Sequence, residues 1–168
     1  MLRLKTLITE KENNYKIFCD MDGVLVDFEK GFEIISKGKR PADMPKNRFW
    51  AMFFSLTKGK GKEYWAGLPW MPDGKILWSY IKPYNPTILS APPNAEAEAG
   101  KYQWVNSNLG GAPLIFKQAR DKHHYAEKGT ILIDDRADTI DRWNANGGKG
   151  ILHTSATNTI KALKKLSL

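Results

Sequence analysis

Four aspartates stand in two close pairs, and each pair directly follows an apolar run. Asp20 and Asp22 flank a methionine after the run IFC, and Asp134 and Asp135 are adjacent after the run TILI. Carboxylates gathered at one point repel one another unless a cation neutralises them, and a set of oxygen ligands suits Mg²⁺. If the fold brings the two pairs together, the sequence therefore predicts a magnesium site.

Two further side chains have the chemistry to hold a phosphoryl group. Ser90 ends the apolar run TILS at 87–90, and Lys122 lies in the run RDK that follows LIF at 114–116. Each has an ordinary explanation by itself, Ser90 as a turn or cap residue and Lys122 as a surface lysine, and an aspartate after a strand is often only a helix N-cap. The order of all these residues, each at the end of an apolar run, argues against coincidence.

The elements that must position these residues alternate along the chain. Short apolar runs predict strands, and segments with helical spacing between them predict helices at 94–109, 137–146 and 158–166. This alternation is typical of a parallel sheet with right-handed crossovers, in which sites form at the carboxyl ends of the strands. The five predicted strands lie at 16–20, 87–90, 114–116, 130–134 and 150–153.

The segment after the first strand has a different character. Residues 28–84 hold 11 basic and 5 acidic side chains and 12 of the 19 aromatic residues. Apolar spacing predicts helices around Phe32, Phe53 and Leu77, whereas the run KGKGK at 58–62 predicts a flexible basic loop. A basic, aromatic-rich segment could face phosphates and bases, but charge alone favours a solvated basic surface over an aromatic core.

Composition sets the broad class. The chain has 168 residues, a formal net charge of +8 and one cysteine, Cys19, so a disulfide framework is excluded and a reducing compartment is favoured. No apolar run is long enough for a transmembrane helix, and the first 15 residues are too polar for a secretory signal. We therefore expect a cytoplasmic protein with no membrane partner, and no expectation follows for its oligomeric state.

In order along the chain, DMDGVLVD at 20–27, TILS at 87–90, RDK at 120–122 and IDD at 133–135 resemble the four motifs of the haloacid dehalogenase (HAD) superfamily. The resemblance implies an α/β fold, a Rossmann-like parallel five-stranded sheet of order 5-4-1-2-3 with a small α-helical cap inserted after the first strand. It divides the chain into a HAD-like catalytic core at 1–27 and 84–168 and a small helical cap at 28–83.

The resemblance also implies a phosphatase mechanism. Asp20 would be the nucleophile that forms an aspartyl-phosphate, and Asp22 would be the general acid and base. Ser90 and Lys122 would hold phosphoryl oxygens, and Lys122 would also offset the charge of Asp20. The predicted metal is Mg²⁺, and its expected ligands are the carboxylate of Asp20, the backbone carbonyl of Asp22, Asp134 and the supporting Asp135.

A closer resemblance is to the 5′(3′)-deoxyribonucleotidases of this superfamily. It rests on DMDGVLVDFE at 20–29, SAP at 90–92, KYQWV at 101–105, RDK at 120–122 and ILIDD at 131–135. It implies a deoxyribonucleoside monophosphate as substrate, with Phe28 and Trp65 of the cap against the nucleobase. Through the matching motifs it also makes Ser90, Ala91 and Arg120 substrate-binding residues.

Two other functions remain open at this point. The run DDR at 134–136, with Trp143 after it, also resembles the 3′-phosphatase domain of polynucleotide kinase-type repair enzymes. Such an enzyme would process nucleic-acid ends and would use Lys58, Lys60 and Lys62 as a track for the backbone. The other alternative is a non-catalytic phosphate-binding module, against which the complete set of predicted catalytic side chains argues.

Overall fold

The computed structural model describes residues 15–168, so the predictions for the N-terminal lead-in at 1–14 lie outside the described residues. All five strands pair in parallel, in the order β3-β2-β1-β4-β5. This order confirms the predicted sheet and the α/β fold class. The strands are β1 (Lys16–Cys19), β2 (Thr87–Ser90), β3 (Leu114–Phe116), β4 (Thr130–Asp134) and β5 (Lys149–Leu152).

The three central strands are buried because both faces of the sheet are covered, which explains why their sequences are continuous apolar runs. On one face, Phe18 packs with Leu132 and with Trp143. The alternate residues Ile17 and Cys19 face the other, larger core. The strand register places Cys19 beside both Ile88 and Ile133. As a result, the residues that follow β1, β2 and β4 leave the sheet at the same edge.

Seven helices lie in the described part of the chain. Four follow β1: α1 (Phe28–Ile35), α2 (Lys46–Leu56), α3 (Gly61–Ala66) and α4 (Gly74–Ile81). The other three follow β2, β4 and β5: α5 (Ala95–Leu109), α6 (Ala137–Ala145) and α7 (Ala156–Lys165). Short 3₁₀ segments lie at Pro41–Asp43, Lys82–Tyr84 and Ala119–Tyr125. No helix in this part of the chain has the length and apolar character needed to cross a bilayer.

The prediction of a flexible loop over 58–62 is wrong at its C-terminal end, because α3 begins at Gly61. Glycine and lysine gave no helical signal there, and no side chain caps the start of α3. Its stability comes from packing instead, since Gly61 lies directly against the Glu96 side chain and Trp65 is buried. Tertiary contact has here overridden local propensity.

Helices α3 and α5 approach closely at a second glycine. A Cβ atom added at Gly100 would overlap the Trp65 side chain and the Lys62 carbonyl oxygen. Beyond this contact, the Trp104 indole nitrogen donates a hydrogen bond to the Leu68 carbonyl oxygen at 2.9 Å. Gly100 is therefore required for the segment after β1 to rest against the helix after β2.

We predict that Gly100→Ala lowers the thermal stability. In an open helical position this substitution stabilises by about 0.5–1 kcal/mol, but overpacking costs about 1–3 kcal/mol. The net effect should lower Tm by several degrees in a thermal melt. Ser107→Ala, at an exposed position of the same helix, is the matched control and should leave Tm unchanged or slightly raised. A Tm for Gly100→Ala at or above that of the parent would contradict this account of the helix contact.

Candidate active site

The carboxyl ends of β1 and β4 bring the two predicted acidic pairs together. The backbone N–H of Asp20 donates to the Ile133 carbonyl oxygen at 2.8 Å, which continues the strand pairing up to the first acidic residue. Carboxylate oxygens of Asp20, Asp134 and Asp135 all lie within 4.8 Å of one another. Asp20 and Asp134 are buried, and Asp135 is exposed. The cluster that the sequence predicted at this edge is therefore present.

The turn after β1 depends on Gly23. The backbone N–H groups of Leu25 and Val26 both donate to the Met21 carbonyl oxygen at 2.9 Å, so the chain folds back at once. Gly23 has a φ of +76°, a conformation that favours glycine. A Cβ atom there would overlap the Asp135 carboxylate. The glycine thus allows the loop from β1 and the acidic pair from β4 to lie in contact.

Lys122 offsets part of the charge of this cluster. It lies in the 3₁₀ segment after β3, is 2% exposed, and places its Nζ 2.9 Å from Asp20 Oδ1 and 2.7 Å from Asp134 Oδ2. Burial opposes the charged ammonium, but the two carboxylates outweigh it and raise the pKa of Lys122 above its ordinary value. The lysine therefore stays charged inside the site.

One lysine does not neutralise three carboxylates. Burial and the charge of Asp20 raise the pKa of Asp134 to about 6, although Lys122 acts in the opposite direction. Although Asp135 as a residue is exposed, its carboxylate lies against Gly23 inside the cluster, and this partial burial, with the charges of Asp20 and Asp134, also raises the pKa of Asp135 to about 6. A convergent, all-oxygen donor set with unbalanced negative charge fits a hard divalent cation such as Mg²⁺. The Asp22 side chain is not part of this set.

Asp22 is paired instead with a residue that the sequence analysis missed. Lys101 of α5 is fully buried, forms an ion pair with Asp22 Oδ2, and places its Nζ 3.0 Å from Ser90 Oγ. The signal that could have found it is its place among the buried residues Ala97, Trp104 and Val105 of α5. A lysine on the buried side of a helix is rarely unpaired.

A cavity of about 550 Å³ opens over the acidic cluster. Of the predicted site residues, Asp20, Asp22, Phe28, Ala91, Lys122 and Asp135 line it. Asp134 and Ser90 are fully buried and do not line it. Arg120 is exposed beside Asp121 and is also not part of the wall. Sequence reasoning missed Glu29, Met71 and Arg136, which do line the cavity.

Phe28 forms the aromatic part of the cavity wall, and Trp65 lies behind it. The two rings stack with centroids 5.1 Å apart and an interplanar angle of 23°. Trp65 is only 3% exposed, and the Tyr64 hydroxyl donates to the Phe28 carbonyl oxygen at 3.2 Å. The predicted contact of Trp65 with a nucleobase therefore finds no support in this arrangement, because the ring is enclosed by Phe28 and α5.

We predict that Mg²⁺ raises the Tm more at about pH 7.5 than at about pH 5. The raised pKa values of Asp134 and Asp135 mean that the folded chain binds their protons more readily than the unfolded chain. In chelator, their protonation stabilises the fold below about pH 4, and this contribution is lost as the pH rises through about 6. A bound cation needs both carboxylates deprotonated and stabilises the folded state by mass action.

The control for this melt is Asp135→Asn. It should reduce the Mg²⁺-dependent rise in Tm, and in chelator at neutral pH it should melt no lower than the parent because it removes one repelling charge. An equal Mg²⁺ effect at both pH values, or in both proteins, would contradict the assignment of the cation to these carboxylates.

Comparison with known proteins supports the fold. No protein-family model matches the sequence, and no curated protein sequence matches it. Three solved structures are similar over nearly their whole length. One is a hydrolase from Streptococcus pneumoniae TIGR4, with a TM-score of 0.57, 13% identity, and coverage of 89% of this chain and 98% of that chain.

The second is a HAD-superfamily hydrolase from Ehrlichia chaffeensis, with a TM-score of 0.51, 11% identity, and coverage of 91% of this chain and 97% of that chain. The third is a candidate beta-phosphoglucomutase from Thermotoga maritima, with a TM-score of 0.57, 12% identity, and coverage of 90% and 99%. With its five-stranded parallel sheet and its acidic strand ends, this chain has the fold of the HAD-like hydrolases.

Proposed function

We propose that this chain is a Mg²⁺-dependent phosphomonoesterase of the HAD type that acts on deoxyribonucleoside monophosphates through an aspartyl-phosphate. One observation carries the proposal. Asp20 lies in the cavity wall with Oδ1 bonded to a buried lysine, inside a cluster of three carboxylates, while Asp22 lines the same cavity two residues later. A nucleophile, an acid/base group and a cation site thus converge on one point.

In the first step an oxygen of the Asp20 carboxylate attacks phosphorus, the P–O bond to the leaving group breaks, and the phosphoryl group is transferred to Asp20. Lys122 holds Asp20 through Oδ1 and offers its positive charge to the phosphoryl oxygens as their charge develops. The carboxylates of Asp20, Asp134 and Asp135 would hold the Mg²⁺, which supplies charge neutralisation that lets an anionic phosphate approach an anionic nucleophile.

Asp22 acts as the general acid and base of the reaction. Its Oδ2 pairs with Lys101, whereas its Oδ1 is buried without a hydrogen-bond partner among the described residues. The Asp22 carboxyl group, which lines the cavity, is suited to give a proton to the leaving oxygen of the substrate and then to take one from the attacking water. Water attacks the aspartyl-phosphate, inorganic phosphate leaves, and the Asp20 carboxylate is restored.

The substrate class rests on the aromatic part of the cavity wall. Phe28 lines the cavity and is supported from behind by Trp65, so its ring offers a flat surface for a nucleobase. Pockets of about 300–1,000 Å³ hold ligands of this size, and the cavity falls within that range. In this proposal residues 28–83 act as the cap and the rest of the chain forms the catalytic core.

A nucleic-acid end is the weaker candidate as substrate. Lys58, Lys60 and Lys62 are exposed, as a backbone track would need. None of the three lines the cavity, whereas the acidic Asp27 and Glu29 do. An anionic strand entering the cavity would therefore pass two carboxylates without meeting these lysines there, which favours a substrate with one phosphate.

The direct test is a phosphate-release assay on 5′- and 3′-deoxyribonucleoside monophosphates, with sugar phosphates and a 3′-phosphorylated oligonucleotide beside them. We expect the highest kcat/KM for a deoxyribonucleoside monophosphate, and loss of release in EDTA with recovery on adding Mg²⁺. Asp20→Asn should lose activity by several orders of magnitude because it removes the nucleophile. Phosphate binding without release from any substrate would indicate a non-catalytic module.

Substrate recognition through Phe28 predicts a selective loss in Phe28→Leu. Base stacking on an aromatic ring contributes about 1–3 kcal/mol, so KM for nucleotides should rise by at least about fivefold. KM for a small aryl phosphate should change much less. Leucine is preferred to alanine because Phe28 packs against Phe49 and Phe53, and a smaller side chain would open a cavity there. Equal changes for both substrates would mean that Phe28 only packs.

A salt series separates the mononucleotide from the polynucleotide. For single strands, the logarithm of the affinity falls with a slope of about −0.7 per phosphate neutralised, so three lysine contacts would add a slope of about −2. The variant combines Lys58→Ser, Lys60→Ser and Lys62→Ser. For a nucleotidase we expect low activity on oligonucleotides and no effect of this variant. A steep salt dependence of kcat/KM for an oligonucleotide, lost in the variant, would establish end processing instead.

A further inference from the structure

Within the proposed phosphatase reaction, we propose that Lys101 is a positioning residue that holds the Asp22 carboxylate and the Ser90 hydroxyl in place from behind the cavity wall. The inference rests on the proposed function and assigns to α5 a part in it. Lys101 Nζ contacts Asp22 Oδ2, lies 3.0 Å from Ser90 Oγ, and lies 4.8 Å from the centroid of the Trp65 ring.

The burial of Lys101 needs an explanation. Its side chain is fully buried, and placing an ammonium group there is costly unless it is paired and hydrogen-bonded. An apolar residue would fill the same place beside Ala97, Trp104 and Val105 without that cost. The contacts that compensate for it are with two residues at strand ends: Asp22 after β1, which the phosphatase proposal uses as the acid/base group, and Ser90 at the end of β2.

Lys101 acts on the reaction only through its neighbours, because it does not line the cavity. By pairing with Oδ2 of Asp22 and contacting the Ser90 hydroxyl, it fixes the position of a carboxyl group that lines the cavity. The two lysines of the site therefore divide the carboxylates between them. Lys122 pairs with Asp20 and Asp134, and Lys101 pairs with Asp22.

The Trp65 ring packs against Lys101 on one side and against the aromatic part of the cavity wall on the other. Trp65 belongs to α3, and the same ring stacks against Phe28, which lines the cavity. The close contact at Gly100, one residue before Lys101, holds α3 against α5. The contact between α3 and α5 therefore supports both the aromatic part of the cavity wall and the orientation of Asp22.

The experiment compares Lys101→Met with the parent and with Lys161→Met, a matched control at an exposed position of α7. Each protein is assayed on a deoxyribonucleoside monophosphate, whose alkoxide leaving group needs a proton, and on p-nitrophenyl phosphate, whose leaving group does not. We expect Lys101→Met to lower kcat for the nucleotide by about 10- to 100-fold with little change in KM. The loss for p-nitrophenyl phosphate should be clearly smaller, and Lys161→Met should behave as the parent.

A double-mutant cycle with Asp22→Asn tests whether Lys101 acts through Asp22. In the Asp22→Asn background, Lys101→Met should cause little further loss of kcat, since the group that it positions is gone. Thermal melts of each variant show whether it is folded. Lys101→Met should melt below the parent but remain folded, because the Asp22 side chain that loses its partner is 32% exposed and can be hydrated.

Three results would overturn the inference while leaving the phosphatase proposal intact. The first is an equal loss of kcat on both substrates together with additive effects in the double-mutant cycle. The second is a rise in KM with kcat unchanged, which would make Lys101 a phosphate ligand. The third is a Lys101→Met protein that is unfolded. A parent protein that releases no phosphate from any substrate would instead overturn the proposed function, and the inference with it.

Discussion

The repulsion among carboxylates at one end of the sheet is the constraint on which the rest of this structure depends. Parallel pairing of β1 with β4 places Asp20, Asp134 and Asp135 within 4.8 Å of one another. No arrangement of this kind is stable without positive charge, and the chain supplies part of it through Lys122. The raised pKa values of Asp134 and Asp135 show that the balance is incomplete. The cluster therefore has the donor atoms and the unbalanced charge that the proposed cation site requires.

The same constraint explains local features that would otherwise be costly. Gly23 has a left-handed backbone conformation, which favours glycine. Its missing side chain also leaves room for the Asp135 carboxylate. The 3₁₀ segment after β3 buries a lysine, which is tolerated because two carboxylates receive it. Both of these departures from ordinary local preference lie next to the acidic cluster, as expected for a site whose chemistry takes precedence over stability.

The aromatic segment after β1 links the cavity wall to the ion pair between Asp22 and Lys101. Phe28 faces the cavity, Trp65 stacks behind it, and Lys101 lies between Trp65 and Asp22. Two ion pairs thus orient the two aspartates of the DMD motif independently. One is anchored on the segment after β3 and the other on α5, so the proposed nucleophile and the proposed acid/base group are held by different elements of the fold.

The sequence by itself determined the parallel sheet and the acidic cluster, because buried parallel strands have apolar runs and their carboxyl ends meet at one edge. The strand order followed from the resemblance of the motifs to the HAD superfamily. The sequence also identified Lys122, which follows a strand in a recognisable motif. Only the tertiary structure decided the partners across helices. Lys101 pairs with a residue 79 positions away, α3 forms because Gly61 and Gly100 allow close packing, and Trp65 is enclosed while Arg120 turns to solvent. The outcomes for Lys101, α3 and Trp65 depend on how α3 and α5 meet, and local spacing carries no information about that contact.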